Sequence, residues 1–340
     1  MFTSSGGMHA QKLFFLIKKK SFYKNIKIHA VDSKNLNKRK KFFHDSFTRV
    51  PNSKSKEFIN FLKKIIKKKN IDILIPGSDE ESIKLCEHKE KFKTFISCPN
   101  KQNLKNIKDK YNIFKELKKN KLLKVYFEKI NSFENLKKKI NEIKFKDFDF
   151  VLKPILSRGG RDVLTIRKQQ TKNLLYFNQD REVKIKKSFF YKNEKKFIKR
   201  FKKKFPIMIM EKLYEPNLDV DILAWKGKLI KYVIRKRIGF QASKGSVILN
   251  KNLKIEKMIK KLIKIFNLSG IYDCDFMYNK NKNPILLELN PRISGSLYAS
   301  IYAGANFIDD LISLKKNKNN RITNFKIENN KKILSNKILK

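Results

Sequence analysis

The chain has 340 residues, enough for two domains with an ample core, and carries 82 Lys and Arg against 31 Asp and Glu, a formal net charge of +51. Three cysteines, Cys86, Cys98 and Cys274, and four histidines without ligand spacing exclude a disulfide framework and leave no support for a zinc or histidine-based centre. No apolar run reaches the ~18 residues of a membrane span and no secretion signal is legible, so a cytoplasmic protein without a membrane partner is expected.

The opening "MFTSSGGMHAQKLFFLIKKK" (1–20) reads as the end of a strand, a Gly-rich turn and a helix. Only Met1 and Phe2 precede the turn, so the first strand is expected to be stunted or to begin upstream of Met1. "IKIHAVD" (26–32) reads as a strand ending in an acid, and "IDILIPGSDEES" (71–82) as a strand, a turn and a helix start. Between them Phe58, Phe61, Leu62, Ile65 and Ile66 recur at helical spacing and predict one apolar face. This alternation predicts a parallel sheet.

From about residue 101 the pattern changes. Helices are predicted over 108–120 and 132–143, then the strand "FDFVLKP" (148–154) and at once a Gly-rich turn, "SRGGRD" (157–162). Beyond a lysine-rich linker, strands are predicted near 206–212, 218–225 and 229–236, followed by a helix with Ile255, Met258, Ile259, Leu262, Ile263 and Phe266 on one face. A hairpin over 270–290 turns on the polar "NKNKN", and the Lys/Asn-rich residues after about 315 are expected to fray.

Acids stand inside the hydrophobic hairpin. Period-2 geometry puts Asp273 and Asp275 on one face of its first strand, and Glu288 and Asn290 on one face of its second. Oxygen ligands at that density suit Mg²⁺, which takes one or two carboxylates and completes its shell with water and phosphate. Arg292, in "LLELNPRISGS" (286–296), would reach the same space with a fork suited to phosphate or carboxylate. Taken alone, the stretch equally fits a strand running out into a polar turn. Lys153, followed by the basic glycine turn with Arg158 and Arg161, could lay N–H groups and positive charge along a polyphosphate, although the turn lacks the Gly-Lys-Ser/Thr ending of a Walker loop. Asp219 and Asp221 share a strand face that could bond a ribose or form a solvated edge.

In this order the motifs resemble the ATP-grasp superfamily over about residues 1–312, most closely the branch of the carbamoyl-phosphate synthase large subunit and biotin carboxylase. The resemblance implies a mixed α/β and α+β fold: a Rossmann-like domain over 1–105, an ATP-grasp domain over 106–314 with a lid subdomain at about 122–206, and a tail over 315–340. It implies that ATP and Mg²⁺, with Mn²⁺ as the alternative metal, are the cofactors. Lys110 and Lys153 match the lysines that hold ATP phosphates, and Ser157, Arg158, Gly159, Gly160 and Arg161 match the lid over them. Glu211, Lys212 and Leu213 match the adenine hinge, and Asp219 the ribose contact. Asp275, Glu288 and Asn290 match the metal ligands, and Arg292 the arginine that steadies the reacting intermediate. Ser294 and Gly295 are carried over as substrate contacts.

The chain departs from the family at several points. Asp275 stands where Glu or Gln is more usual, one methylene shorter, and the lid has a short glycine run. Nothing resembles the glutamine-handling partner or the second synthetase half of carbamoyl-phosphate synthase, or the further carboxyl-terminal sequence of biotin carboxylase. The complete enzymes of those two families are not expected.

The expected activity is an ATP-dependent ligase that activates a carboxylate as an acyl phosphate and passes it to an amine or similar nucleophile. Its partners would be small molecules, with a homodimer allowed. Arg235 and Arg237 are expected on the acceptor side, as binders of a substrate carboxylate or as ordinary basic residues of a basic chain. The rival expectation is a catalytically idle scaffold that binds nucleotide or nucleic acid. Lysines scattered beside Asn, Ile and Phe, as a genome-wide bias would leave them, argue against the nucleic acid.

Overall fold

In the computed structural model, which describes residues 1–35, 42–143, 148–156, 162–168, 174–177, 183–238 and 244–339, the first hundred residues alternate helix and strand. The order is α1 (Met8–Lys20), β1 (His29–Asp32), β2 (Ser46–Arg49), α2 (Phe58–Lys69), β3 (Ile73–Leu74), α3 (Asp79–Glu87), β4 (Phe95–Ile96) and α4 (Lys101–Lys108). β1 pairs in parallel with β2, and β3 with β4. Phe2 bridges both pairs, to Ala30 and to Ile75, so the stunted first strand is a single residue joining two ladders. α2 buries Phe58, Ile59, Leu62 and Ile65, whereas Phe61 is 39% exposed: the stripe runs through Ile59 where the sequence reading placed Phe61. At the start of α3, Ser78 caps the helix by accepting from the Glu81 N–H, and its hydroxyl donates to the Glu81 carboxylate.

The next segment holds α5 (Lys110–Lys119), β5 (Phe127–Ile130), α6 (Phe133–Ile143), β6 (Phe150–Pro154), β7 (Leu164–Arg167), β8 (Leu174–Phe177), β9 (Val183–Lys186), α7 (Lys187–Lys192), α8 (Glu194–Lys199) and β10 (Ile207–Glu211). Its six strands run in the order β5-β10-β6-β7-β9-β8. Leu136 and Ile140 of α6, Phe150 and Leu152 of β6 and Phe190 of α7 close its core.

The remainder comprises β11 (Tyr214–Trp225), β12 (Lys228–Arg237), β13 (Gly245–Leu249), α9 (Leu253–Ile265), β14 (Gly270–Tyr278), β15 (Pro284–Asn290), α10 (Leu297–Tyr302), α11 (Phe307–Lys315) and β16 (Lys332–Leu334), with a second six-stranded sheet in the order β15-β14-β11-β12-β13-β16. The helical face expected from Ile255 to Phe266 is buried throughout. The hairpin turn is held by Asn279, whose Oδ1 accepts from the N–H groups of Asn281 (3.0 Å) and Asn283 (2.9 Å).

The tail is not frayed. β16 pairs antiparallel with β13, and Ile333 and Ile338 are buried, because those two apolar side chains interrupt the polar run and reach the core. Gly245 makes the pairing possible: its φ is +140° and a Cβ there would stand 2.3 Å from the Ile333 carbonyl oxygen.

The chain forms two compact units. One comprises Met1–Ile107, Pro216–Met277 and Leu286–Lys340, and the other Lys108–Glu215 with Tyr278–Ile285. The two six-stranded sheets lie one in each, apart from strand ends and the hairpin turn.

Candidate functional site

Four neighbouring strands of the larger unit each carry a polar pair at every second position. β15 brings Glu288 and Asn290, β14 brings Asp273 and Asp275, β11 brings Asp219 and Asp221, and β12 brings Arg235 and Arg237. Alternation puts each pair on one face of its strand, and the cross-strand bonds put the pairs on the same face of the sheet. Asn290 Nδ2 donates to Asp273 Oδ2 (3.1 Å), and Arg237 donates to Asp219 Oδ1 (2.7 Å, from Nε) and Asp275 Oδ1 (2.6 Å, from Nη2).

Arg235 is wholly buried. Its Nε and Nη2 grip Asp221 at 2.7 and 3.1 Å, Nη1 reaches Asp219, Ser246 and Ser296, and Nη2 also reaches Ser294. Ser294 and Ser300 donate in turn to Asp221, at 2.6 and 2.5 Å. The contact expected between Arg235 and a substrate carboxylate is therefore replaced by an internal ion pair, because the β11–β12 register sets Asp219 opposite Arg235. Ser294, read as a substrate contact, has its hydroxyl engaged by the same pair. A Cβ on the neighbouring Gly295 would meet nothing within 4 Å, so that position faces open space.

Arg292 follows β15 and points its fork back over the hairpin. Nε donates to Asp79 Oδ1 (3.1 Å), and Nη1 to Asp273 Oδ2 and the Ile293 carbonyl (both 2.9 Å). Asp79 opens α3, 213 residues away in sequence.

Asp219, Asp273 and Asp275 bring carboxylate oxygens within 4.8 Å of one another. The mutual repulsion is large. Burial, together with Asp219 and Asp221, pushes Asp273 up to about 6 against the pull of Arg292 and Arg235. Burial, Asp273 and Glu288 push Asp275 well above the carboxylate range although Arg237 opposes them. At Asp219 burial raises the pKa, but Arg235 and Arg237 outweigh it and hold the carboxyl below its ordinary value. Asp273 Oδ1 is buried and, among the described residues, has no hydrogen-bond partner. Hard oxygens in excess over nearby cations, with one lone pair unspent, fit a hard divalent cation.

The sequence reading gave the metal to Asp275, Glu288 and Asn290. The structure sets Asp275 with Asp273 and Asp219 and ties Asn290 to Asp273, while Glu288 adds its charge next to Asp275. Asp219, read as the ribose contact, is buried with its oxygens held by Arg237 and Arg235, and Asp221 is no solvated edge.

The smaller unit carries the lysines. Lys153 lies buried on β6 with its ammonium 5.3 Å from the Phe114 ring centre, and Lys110 is buried at the first turn of α5 behind the Asp109 cap. At the end of β10, the N–H groups of Glu211 and Lys212 bond to the carbonyls of Tyr126 and Asp149, the Lys212 ammonium sits 3.6 Å over the Tyr214 ring, and Leu213 is buried. The five lid residues, Ser157 to Arg161, lie outside the described residues.

Residues 203–334 match the family described as ATP-grasp in the biosynthetic pathway with Ter operon, and residues 1–97 match the PylC-like N-terminal domain. The chain therefore carries an ATP-grasp domain behind a PylC-like N-terminal domain. Among solved structures, the chain is similar to N5-carboxyaminoimidazole synthetase from Staphylococcus aureus, with 13% identity, a TM-score of 0.64, and 98% of this chain and 79% of that one covered. It is also similar to the L-amino acid ligase from Bacillus licheniformis, at 12% identity and TM-score 0.61 over 93% and 73% of the two chains. A complex of biotin carboxylase from Campylobacter jejuni gives 15% identity and TM-score 0.62 over 93% and 70%. No curated protein sequence matches the chain. The expected class of fold, with a parallel-sheet domain ahead of an ATP-grasp fold, therefore holds. No described helix is long and apolar enough to cross a membrane.

Asp79, Ser246, Ser296 and Ser300 went unread in the sequence, and Asp273 was read among the oxygens suited to Mg²⁺ but not carried into the ligand set. The helix start at "GSDEES" was legible, and an acid in its first turn is ordinary for a helix, so nothing local marked Asp79.

Proposed function

We propose that the protein is an ATP-dependent carboxylate–amine ligase: it makes an acyl phosphate from a small carboxylate and ATP, then passes the acyl group to an amine or similar nucleophile. The observation that carries this reading is the four-strand array of carboxylates with Arg292 held over it. Six carboxylates, Asp79, Asp219, Asp221, Asp273, Asp275 and Glu288, stand against three guanidiniums, Arg235, Arg237 and Arg292, and Asp273 Oδ1 has no donor among the described residues. Such an array is costly to bury without a cation that a nucleotide would bring.

Asp219, Asp273, Asp275 and Glu288 would hold Mg²⁺ or Mn²⁺, with the Asn290 amide fixing Asp273, and the ion would neutralise phosphate charge. Lys110 and Lys153 would hold the phosphates as point charges. The hinge at Glu211–Leu213 would read adenine through the Leu213 N–H, since those of Glu211 and Lys212 are bonded within the chain. Residues 157–161 would close over the phosphates and keep water from the acyl phosphate. Arg292 would meet the oxygens that gain charge during transfer, where a preorganised donor is worth most. Arg237, half-buried, would steer the acceptor side, while Arg235 supports Asp221 from below.

Neighbours named as a synthetase, a ligase and a carboxylase support the ligase class, as does a synthase bound to ADP and an aminoimidazole ribonucleotide. The three buried free thiols support a reducing, cytoplasmic setting. The test is ADP release from MgATP across a panel of amino acids, small carboxylates and bicarbonate. Stimulation by a carboxylate paired with an amine is expected, and no ADP release with any pair would overturn the reading.

A further inference from the structure

The N-terminal parallel-sheet domain has a task that its sequence does not advertise. Arg292 uses Nε on Asp79 and Nη1 on Asp273 and the Ile293 carbonyl, and among the described residues its Nη2 has no partner. A guanidinium is planar, so fixing Nε and Nη1 fixes the direction of the two Nη2 N–H bonds. Asp273 anchors one side from the sheet that carries the carboxylate array. Asp79 anchors the other from α3, in the first turn of a helix whose start is fixed by the Ser78 cap and its bond to the Glu81 carboxylate. Glu81 is pinned further by the hydroxyls of Thr3 (2.7 Å) and Ser4 (2.5 Å) in the Gly-rich turn, and Ser82 donates to the Pro291 carbonyl next to Arg292. α3 is thus tied to the residue before Arg292 through its backbone and to Arg292 itself through Asp79.

We propose that Asp79 is a positioning residue: it holds Arg292 by its Nε edge so that the Nη2 N–H groups are presented to the reacting oxyanion. The ligase reading underlies the kinetic half of this idea, and the anchoring half stands without it. Charge alone does not explain Asp79, because a second carboxylate beside Arg292 offsets the positive charge that would stabilise an oxyanion. Geometry does explain it, since an arginine held at one edge only would swing about its long stem and lose alignment.

Two measurements test it. In full-length protein labelled with ¹⁵N-arginine, the Arg292 Nε–H resonance, assigned by its loss in Arg292→Lys, should exchange slowly with solvent. In Asp79→Ala it should exchange at least about tenfold faster, with an unchanged thermal midpoint; equal exchange in the two proteins would sink the anchoring. In ADP-release kinetics with the best substrate pair, Asp79→Asn should lower kcat by roughly ten- to a hundredfold with KM for ATP changed less than about twofold, the scale of a misaligned catalytic group. Asp79→Glu should recover part of that loss. In an Arg292→Lys background, Asp79→Asn should have little further effect, because the two residues act as one unit. Additive losses, or a KM effect equal to the kcat effect, would make Asp79 a structural or ground-state residue. A wild-type protein that releases no ADP overturns the ligase reading, and the exchange measurement still decides the anchoring.

Discussion

Arg237 Nη2 lies 2.6 Å from Asp275 Oδ1, so a cation of the chain itself already occupies one edge of the carboxylate cluster. A divalent ion entering the cluster would share Asp275 with it, and the two positive charges repel. Arg237→Gln should therefore tighten Mn²⁺ binding, by about tenfold if one charge–charge contact of roughly 1.4 kcal/mol is relieved. Asp273→Asn, which neutralises the carboxylate with the orphaned oxygen, should weaken it by a similar factor. Electron paramagnetic titration of Mn²⁺ reads both, and shifts of the same sign in the two variants would remove the metal assignment.

Glu288→Gln tests the same site through turnover. It keeps the shape and hydrogen-bonding capacity of the side chain but removes a charge next to Asp275. ATP turnover should fall to background while circular dichroism and the thermal midpoint stay at wild-type values. Normal turnover would leave Glu288 outside the machinery.

Arg292→Lys keeps the positive charge and discards the planar fork. A fall in kcat of roughly a hundredfold is expected, the scale on which loss of one preorganised transition-state donor acts, with ATP affinity changed far less. Isothermal titration with a non-hydrolysable ATP analogue gives the second number. Affinity and kcat dropping together would mean a ground-state phosphate ligand.

Arg235 makes a different prediction, because it meets Asp221, Asp219 and three serines in a fully buried position. Arg235→Met would leave Asp221 without its counter-charge and Asp219 with Arg237 alone. Removing one partner of a buried pair costs about 3–5 kcal/mol, so the urea midpoint should drop accordingly. A loss of activity at unchanged stability would return Arg235 to the substrate-binding role read from the sequence.

Acid stability should depend on His29. Burial, the amino terminus, Lys69 and His44 push its pKa down to about 4 from the ordinary 6.5, and its ring nitrogens face the hydroxyls of Ser46 and Thr48. Between those two values the unfolded chain binds the proton and the folded chain does not, so its contribution is whole above about pH 6.5 and is lost as the pH falls toward 4. His29→Asn should flatten that part of the slope. Urea midpoints at pH 7, 6, 5 and 4 for both proteins give the comparison, and identical slopes would exclude His29 as the titrating group.

Local periodicity determined much of this protein by itself. The helix over Ile255–Phe266, the Asn279–Asn283 hairpin, and the acid pair on β14 and acid–amide pair on β15 at every second position follow from 3.6- and 2-residue geometry, which needs no partner. The order of motifs carried the ATP-grasp resemblance for the same reason. Only the tertiary structure decided which charge meets which. The β11–β12 register turned Arg235 from a substrate contact into the counter-ion of Asp221, and sheet order brought β14 beside β11 so that Asp219 joined Asp273 and Asp275. α3 placed Asp79 against an arginine 213 residues away, and β16 drew a polar tail into the sheet by two isoleucines and one glycine without a Cβ. Pairings of this kind depend on strand register and on contacts distant in the chain, and a side chain's identity states its chemistry but not its neighbour.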